Sequence, residues 1–571
     1  MNKDIVAPQL VWDLWERNTY NFPENEAIIH WDALEEPFRW TYSALYEEAL
    51  KFAGQFANRG IKNKDVCAVI MKHNKLFYPI YMGISMLGAI PAVLAYPNAR
   101  LHPDKFVYGL SGIACQAGLD WVVTEKNLGP VVEPLVSSAR KKLNGIIFPL
   151  DFTLDSQDKK SGYGKVKNER TGTSNGERPF ILQFSSGTTG LQKGVVLSHR
   201  AVLEHAKRYS EAIRITGEDK VASWLPFYHD MGLIAAFQIP LIYGIPTIQI
   251  DPFQWITAPV ILFQAISQEK ATLAWLPNFA YNFMAERISD EEMCDINLST
   301  MRMFINCSEV VRAESHRKFI GRFTKFGVKK DSLSTCYAMA ETTFAVTQSP
   351  PGVKAGELDL DMGEYRKKII KFYDGNGSKK TCVSSGPPIS GCTLRVNDEK
   401  DVELPEDNIG KIAIKSISLF DEYLNNPEKT TAAMKNGWYS SGDLGFCHRG
   451  EYYIIGREDD VIIVAGKNIY PEDIEDEVSK VPGVIPGRVV VFGADDPDNG
   501  TQKVCVIVET DHTDQEKKES IKLEIMKRGM SIDVTIQTIY LAPPRWLIKS
   551  SSGKISRSAN KTRIPEEVSK V

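Results

Sequence analysis

The stretch FSSGTTGLQKGV, residues 184–195, follows the apolar run PFILQF (179–184) and crowds three glycines and four hydroxyl side chains into one turn. The backbone N–H groups and hydroxyls of Ser185, Ser186, Gly187, Thr188 and Thr189 can surround phosphate oxygens, and Lys193 adds positive charge. This is not a Walker loop, because Lys193 lies between Gln192 and Gly194 where that motif needs Gly before the lysine and Ser or Thr after it. The spacing of a dinucleotide fingerprint is absent as well. Taken alone, a Ser/Thr/Gly turn is more often a solvated loop, so its meaning rests on what surrounds it.

Outward from that turn, the 571 residues hold 43% hydrophobic and 25% charged side chains, an ordinary globular composition that excludes collagen-like, disordered and coiled-coil chains. At ~150 residues per domain the length suits about three to four domain equivalents. The net charge of −4 gives no global field for nucleic acid or an anionic membrane. Nine scattered cysteines without a C-x-x-C pair argue against a disulfide framework or zinc cluster and for a reducing compartment, by default the cytoplasm. The histidines show no H-E-x-x-H spacing, so no zinc is assigned. Asp4, Asp13, Glu16 and Arg17 interrupt what a secretory signal would keep apolar. Two uncharged stretches, Leu76–Ala99 and Met231–Ile250, approach spanning length but carry internal prolines. Each reads as a buried helix feeding a buried strand, so no integral membrane segment is expected.

β-branched runs at Val66–Met71, Gly145–Phe148, Thr247–Ile250 and Met301–Ile305 alternate with helical patterns at Tyr42–Asn58 and Pro259–Gln268. That rhythm predicts α/β layers around buried sheets. The polar tract Asp155–Arg178 reads as a mobile surface loop, and Gly352–Lys380 as an excursion inserted into a larger domain. Beyond Gly456 the texture changes to short strands (Val461–Val464, Val489–Phe492, Val504–Glu509) and helices around Pro471–Lys480 and Gln515–Arg528. A boundary near Arg457–Asp460 follows, dividing the chain into 1–457 and 458–571.

Further motifs occur in a fixed order: CYAMAETT (336–343), SGDLG (441–445), GREDDVIIVAGKNIYPEDIE (456–475) and SSSGKISR (550–557). Together with 184–195 they resemble the adenylate-forming superfamily of acyl-CoA synthetases, peptide-synthetase adenylation domains and luciferases, over roughly Leu10 to Arg557. WLPFYHDMGL (224–233), LPNFAYNF (276–283), the insertion before Cys382 and GKNIYPEDIE most resemble fatty acyl-AMP ligases. The resemblance implies an α/β fold: a large N-terminal domain of layered sheets plus a β-barrel-like subdomain, and a small mobile C-terminal α+β domain. It also implies ATP and Mg²⁺, a fatty or related carboxylic acid, and a phosphopantetheinylated acyl carrier protein as acyl acceptor in place of free coenzyme A.

By the same resemblance Lys554 is the catalytic lysine that bridges the carboxylate and the α-phosphate, and Glu341 is the Mg²⁺ ligand. Tyr337 would stack on adenine, Asp443 would accept the ribose hydroxyls, and Arg457 and Ser308 would add nucleotide contacts. Asp459 resembles the hinge about which the small domain swings. Gly466 would face the incoming phosphopantetheine, and His229 the entrance between nucleotide and acyl pocket. Core packing for Tyr337 and His229, a turn for Asp443 and a linker for Asp459 are the competing readings.

The sequence departs from the family at Ser185 (usually Thr), Gln192 (usually Pro), Ala338 (usually Gly) and, more seriously, at Cys307 and Ser308, where fatty acyl-AMP ligases carry Gly and Ala. Bulkier side chains there are expected to narrow the pocket. Three alternatives stay open: an acyl-CoA synthetase using free coenzyme A, an amino-acid-activating enzyme with Asp230 on the α-ammonium, and a nucleotide-binding regulator without turnover.

Overall fold

The computed structural model describes residues 9–33, 35–96, 110–114, 118–137, 142–172, 176–184, 193–496, 501–549 and 555–564. An eight-stranded sheet organises the N-terminal part, in the order 345–348, 333–338, 303–307, 273–277, 221–223, 247–250, 26–32 and 35–41. Its inner strands run parallel and its two edge strands antiparallel. Leu273–Pro277 (LAWLP) is buried at every position, as a parallel strand covered on both faces requires. A second, all-parallel sheet joins 90–93, 66–70, 121–124 and 145–147.

The sequence pattern locates these elements closely. Tyr42–Asn58 is a helix with the bounds read from its periodicity, and the Thr41 hydroxyl accepts from the Ala44 N–H at 3.2 Å to cap it. The strand expected at 301–305 begins two residues later, as Met303–Cys307, and the helix expected at 259–268 is Val260–Glu269. Leu76–Ala99 contains a helix, Phe77–Met86, that leads into the strand Ile90–Val93. Met231–Ile250 contains a π-helix, Met231–Gln238, a helix, Ile239–Tyr243, and the strand Thr247–Ile250. Among the described residues no helix is long and apolar enough to cross a membrane.

One expectation fails. Within the tract 155–178, read as a mobile loop, Ser156–Gly172 is a helix packed along Tyr42–Asn58. One glycine from each helix marks the contact: a Cβ on Gly162 would lie 1.9 Å from the Leu50 carbonyl oxygen, and one on Gly54 of Tyr42–Asn58 2.3 Å from that of Asp158. The Asp155 carboxylate caps it, accepting from the N–H groups of Gln157 and Asp158 at 2.7 and 3.0 Å.

Toward the C-terminus an antiparallel sheet of 392–397, 410–416, 434–435, 438–448 and 451–457 supplies the β-rich part that the barrel-like expectation called for. The smaller C-terminal domain has a sheet of 489–496, 501–509 and 536–542, the helices Pro471–Val478 and Gln515–Ser531, and a hydrophobic core drawn from Ile462 to Ile539. The excursion 352–380 is a closed structure: Glu357–Asp361 pairs antiparallel with Lys379–Val383, and Leu360, Met362 and Tyr365 share an apolar core with Leu444, Phe446 and Tyr470.

Candidate active site

A cleft of about 2650 Å³ opens along the C-terminal ends of the parallel strands and continues between the large domain and the C-terminal residues. Ligands of open α/β sheets bind at such strand ends. The strand Pro179–Phe184 precedes the glycine-rich segment in sequence and Gly194–Ser198 follows it, and Phe184 and Lys193 on either side of it both line the cleft. Ser185, Ser186, Gly187, Thr188 and Thr189 lie outside the described residues, as does Lys554.

Tyr337 stands at the end of the strand Leu333–Ala338, and the chain turns at once into the short 3₁₀ helix Ala340–Thr342 that holds Glu341. Across the cleft Asp443 and Arg457 are direct partners on the antiparallel strands 438–448 and 451–457. Tyr337 donates from its hydroxyl to Asp443 Oδ2 at 2.5 Å, and Arg457 Nε lies 3.1 Å from Asp443 Oδ1. The Asp443 carboxylate raises the proton affinity of the Arg457 guanidinium, and burial raises that of the Tyr337 phenol. An ionised carboxylate has about four lone-pair sites, so Asp443 retains acceptor capacity beyond these two partners.

Glu341 is buried yet lines the cleft. Its Oε1 accepts from the Tyr423 hydroxyl at 2.8 Å, and the Lys193 ammonium sits over the Tyr423 ring, 4.8 Å from its centroid. Desolvation lowers the Lys193 proton affinity, and Glu341 partly restores it. A buried, partly occupied carboxylate facing the cleft is a hard oxygen donor of the kind Mg²⁺ takes one or two of, beside phosphates and waters.

His229 lines the cleft at the head of the π-helix, where Asp230 accepts from the Met231 N–H at 2.9 Å. Gly232 permits that irregular turn, since a Cβ there would lie 2.3 Å from the Pro226 carbonyl oxygen. Gln183 donates to the Tyr228 carbonyl at 2.8 Å, tying this turn to the strand Pro179–Phe184. Ser308 lines the cleft at a strained positive φ of 75°. Cys307 is fully buried and does not line it, so only the second of the two bulky departures faces the pocket.

Asp459 lies in the 3₁₀ turn Glu458–Asp460 and lines the cleft. Gly466 does not: it forms, with Ala465, the turn between 462–464 and 467–469, where φ values of 79° and 48° set the residue choice. Lys549 and Ile555, which flank the segment carrying Lys554, both line the cleft and bridge to each other.

Several residues of the site carried no sequence signal. Tyr423 is one, and the cations that meet the acidic helix Pro471–Val478, itself expected from the sequence, are others. Arg312 reaches Asp476 at 3.0 Å and the Glu472 carbonyl at 2.9 Å, and Lys380 pairs with Asp473. Arg366 donates to the carbonyls of Ile532 and Asp533, and Asn468 to that of Arg366 at 3.1 Å. These contacts join distant parts of the chain, so no local pattern announces them.

Fold and cleft together define an adenylate-forming enzyme. The chain belongs to the AMP-binding enzyme family, whose profile matches residues 15–424. It is similar to a putative acyl-CoA synthetase of Caulobacter vibrioides (27% identity over 531 residues, 91% of this chain and 89% of the other). It is also similar to the medium-chain-fatty-acid–[acyl-carrier-protein] ligase JamA of Moorena producens (30% over 408 residues, 69% of each). Its fold matches a structure from a study of fatty acyl-adenylate ligases from E. coli and L. pneumophila, with a TM-score of 0.86 over 97% of both chains at 22% identity.

Proposed function

We propose that this protein activates a fatty or related carboxylic acid with ATP, releasing pyrophosphate and forming an acyl-adenylate. It then transfers the acyl group to the phosphopantetheine thiol of an acyl carrier protein. The observation that carries this reading is the convergence of Lys193, Tyr337, Glu341, Asp443 and Arg457 on one cleft that the flanks of the Lys554 segment also line. JamA, the relative named above as an acyl-carrier-protein ligase, supports the choice of acceptor.

In this reading Lys193 and the hydroxyl-rich turn Ser185–Thr189 hold the triphosphate. Tyr337 flanks the adenine, Asp443 accepts from the ribose, and Arg457 and Ser308 complete the nucleotide contacts. Glu341 holds Mg²⁺, which, when bound, offsets charge on the phosphates. His229 borders the acyl entrance. Lys554 neutralises the repulsion between carboxylate and α-phosphate: at 4 Å and effective dielectric ~20, one opposite charge is worth roughly 4 kcal/mol.

The division into 1–457 and 458–571, with Asp459 as hinge, belongs to the same proposal. One site serves a phosphate-centred step and then an acyl-centred step when the small domain presents Lys554 and withdraws it. Withdrawal would break Arg312–Asp476 and Lys380–Asp473 and the bonds from Arg366. Two of those cations, Arg366 and Lys380, come from the excursion 352–380. Its attachment to both domains restrains rotation, which favours a carrier-bound thiol over free coenzyme A. We place the enzyme in the cytoplasm, where ATP is supplied. The test is ATP–pyrophosphate exchange across a panel of carboxylic acids, followed by thioester formation with holo carrier protein and with coenzyme A. No exchange with any acid rejects the activity, and equal saturable rates with coenzyme A reject the acceptor.

A further inference from the structure

The cleft brings a carboxylate and an ammonium, Glu341 and Lys193, to opposite sides of one buried phenol. Two opposite charges in a half-dry cleft attract strongly, by roughly a thousandfold in equilibrium constant at ~4 Å and effective dielectric ~20. Left to themselves they would pair. They do not pair here: the Tyr423 hydroxyl takes one oxygen of Glu341 at 2.8 Å, and the Tyr423 ring face takes the Lys193 ammonium 4.8 Å from its centroid. A phenol suits this task because its edge donates a hydrogen bond while its face attracts a cation.

Tyr423 is held firmly enough to do it. The residue is 1% exposed, its two-residue strand Glu422–Tyr423 pairs with Val195 and Val196, and the Leu424 N–H donates to the Gly194 carbonyl at 2.8 Å. The Tyr423 N–H donates to the Thr430 hydroxyl at 3.0 Å. The main chain of Glu341 is fixed from the same segment, its carbonyl accepting from the Phe420 N–H at 2.8 Å.

We propose that Tyr423 is a positioning residue that keeps Glu341 and Lys193 from neutralising each other, holding the carboxylate for a divalent cation and the ammonium for phosphate oxygens. The inference rests on the proposed function and adds to it a cleft residue whose role runs through Glu341 and Lys193. Tyr423→Phe keeps the ring face and loses the donor, whereas Tyr423→Leu loses both.

The experiment uses the full chain with Mn²⁺ and α,β-methylene-ATP, reading bound Mn²⁺ by electron paramagnetic resonance, and separately titrates metal-free pyrophosphate by calorimetry. For Tyr423→Phe the Mn²⁺ affinity is expected to fall roughly tenfold, the size of one hydrogen bond to a charged group, with pyrophosphate affinity unchanged. Tyr423→Leu is expected to lose both. Adding Tyr423→Phe to Glu341→Gln is expected to cost no further Mn²⁺ affinity. Wild-type Mn²⁺ affinity in Tyr423→Phe, or equal loss of both ligands in that variant, overturns the proposal. A wild-type chain that binds neither probe removes the proposed function, and the inference with it.

Discussion

Arg557 and Glu475 form a two-pronged contact, with Nη2 to Oε2 at 2.8 Å and Nε to Oε1 at 3.2 Å, and the same guanidinium reaches Asp460 at 2.5 Å and Glu472 at 2.9 Å. One half-buried cation thus ties the turn Glu458–Asp460, the helix Pro471–Val478 and the C-terminal helix Arg557–Arg563 into a unit. Removing one partner of a buried ion pair leaves the others uncompensated, at about 3 kcal/mol or more. Arg557→Gln is therefore expected to destabilise the C-terminal domain by about that amount, seen as a lower-melting calorimetric transition and faster amide exchange over 471–478.

Within the same cluster the second oxygen of Glu472 is buried without a hydrogen-bond partner and faces the space where a Gly456 Cβ would be, 3.0 Å away. Burial, reinforced by Glu475 and Asp460 and opposed by Arg557, pushes this carboxyl up to about 7. A carboxyl whose folded value exceeds its unfolded one favours the folded state only while protonated. Stability is then lost as the pH climbs from the ordinary carboxylate range through about 7. Glu472→Gln is expected to match wild type near pH 4 and to exceed it above pH 7 by on the order of 1–3 kcal/mol. Denaturant midpoints measured across that range decide it, and parallel profiles for the two proteins would refute it.

The helix Ser156–Gly172 offers a comparison between two of its own glycines. A Cβ at Gly162 meets the Leu50 carbonyl at 1.9 Å, whereas one at Gly164 meets nothing within 4 Å. Gly164→Ala should stabilise by up to ~1 kcal/mol through helix propensity alone. Gly162→Ala should destabilise by about 3 kcal/mol by forcing the two helices apart. Thermal melts of the two variants are expected to move in opposite directions.

That helix also marks where sequence reasoning stops. Apolar periodicity carries the parallel strands and the helix Tyr42–Asn58 because those residues meet a core on a repeating face. It is silent on Ser156–Gly172, whose packing works through absent side chains, so glycines that permit contact read as glycines that permit motion. The site divides in the same way. The meeting of Tyr337, Glu341, Asp443 and Arg457 at one cleft was legible because each sits in one of the ordered motifs. Tyr423 and the cations on the acidic helix were not, because their role depends on partners such as Glu341, 82 positions away, and Glu472, 160 positions from Arg312.

Lys554 provides the sharpest test of the proposed chemistry. Its neighbour Ile555 lines the cleft, and Arg557, three positions on, is paired with Asp460 in the turn Glu458–Asp460. If its ammonium neutralises the approach of carboxylate to phosphate, Lys554→Ala should lower ATP–pyrophosphate exchange by about three decades, the equivalent of roughly 4 kcal/mol expressed in the transition state. Thioester formation from supplied acyl-adenylate involves no such approach and should stay within a few-fold of wild type. Equal loss of both half-reactions would mean that Lys554 supports the domain's structure instead of the phosphate chemistry.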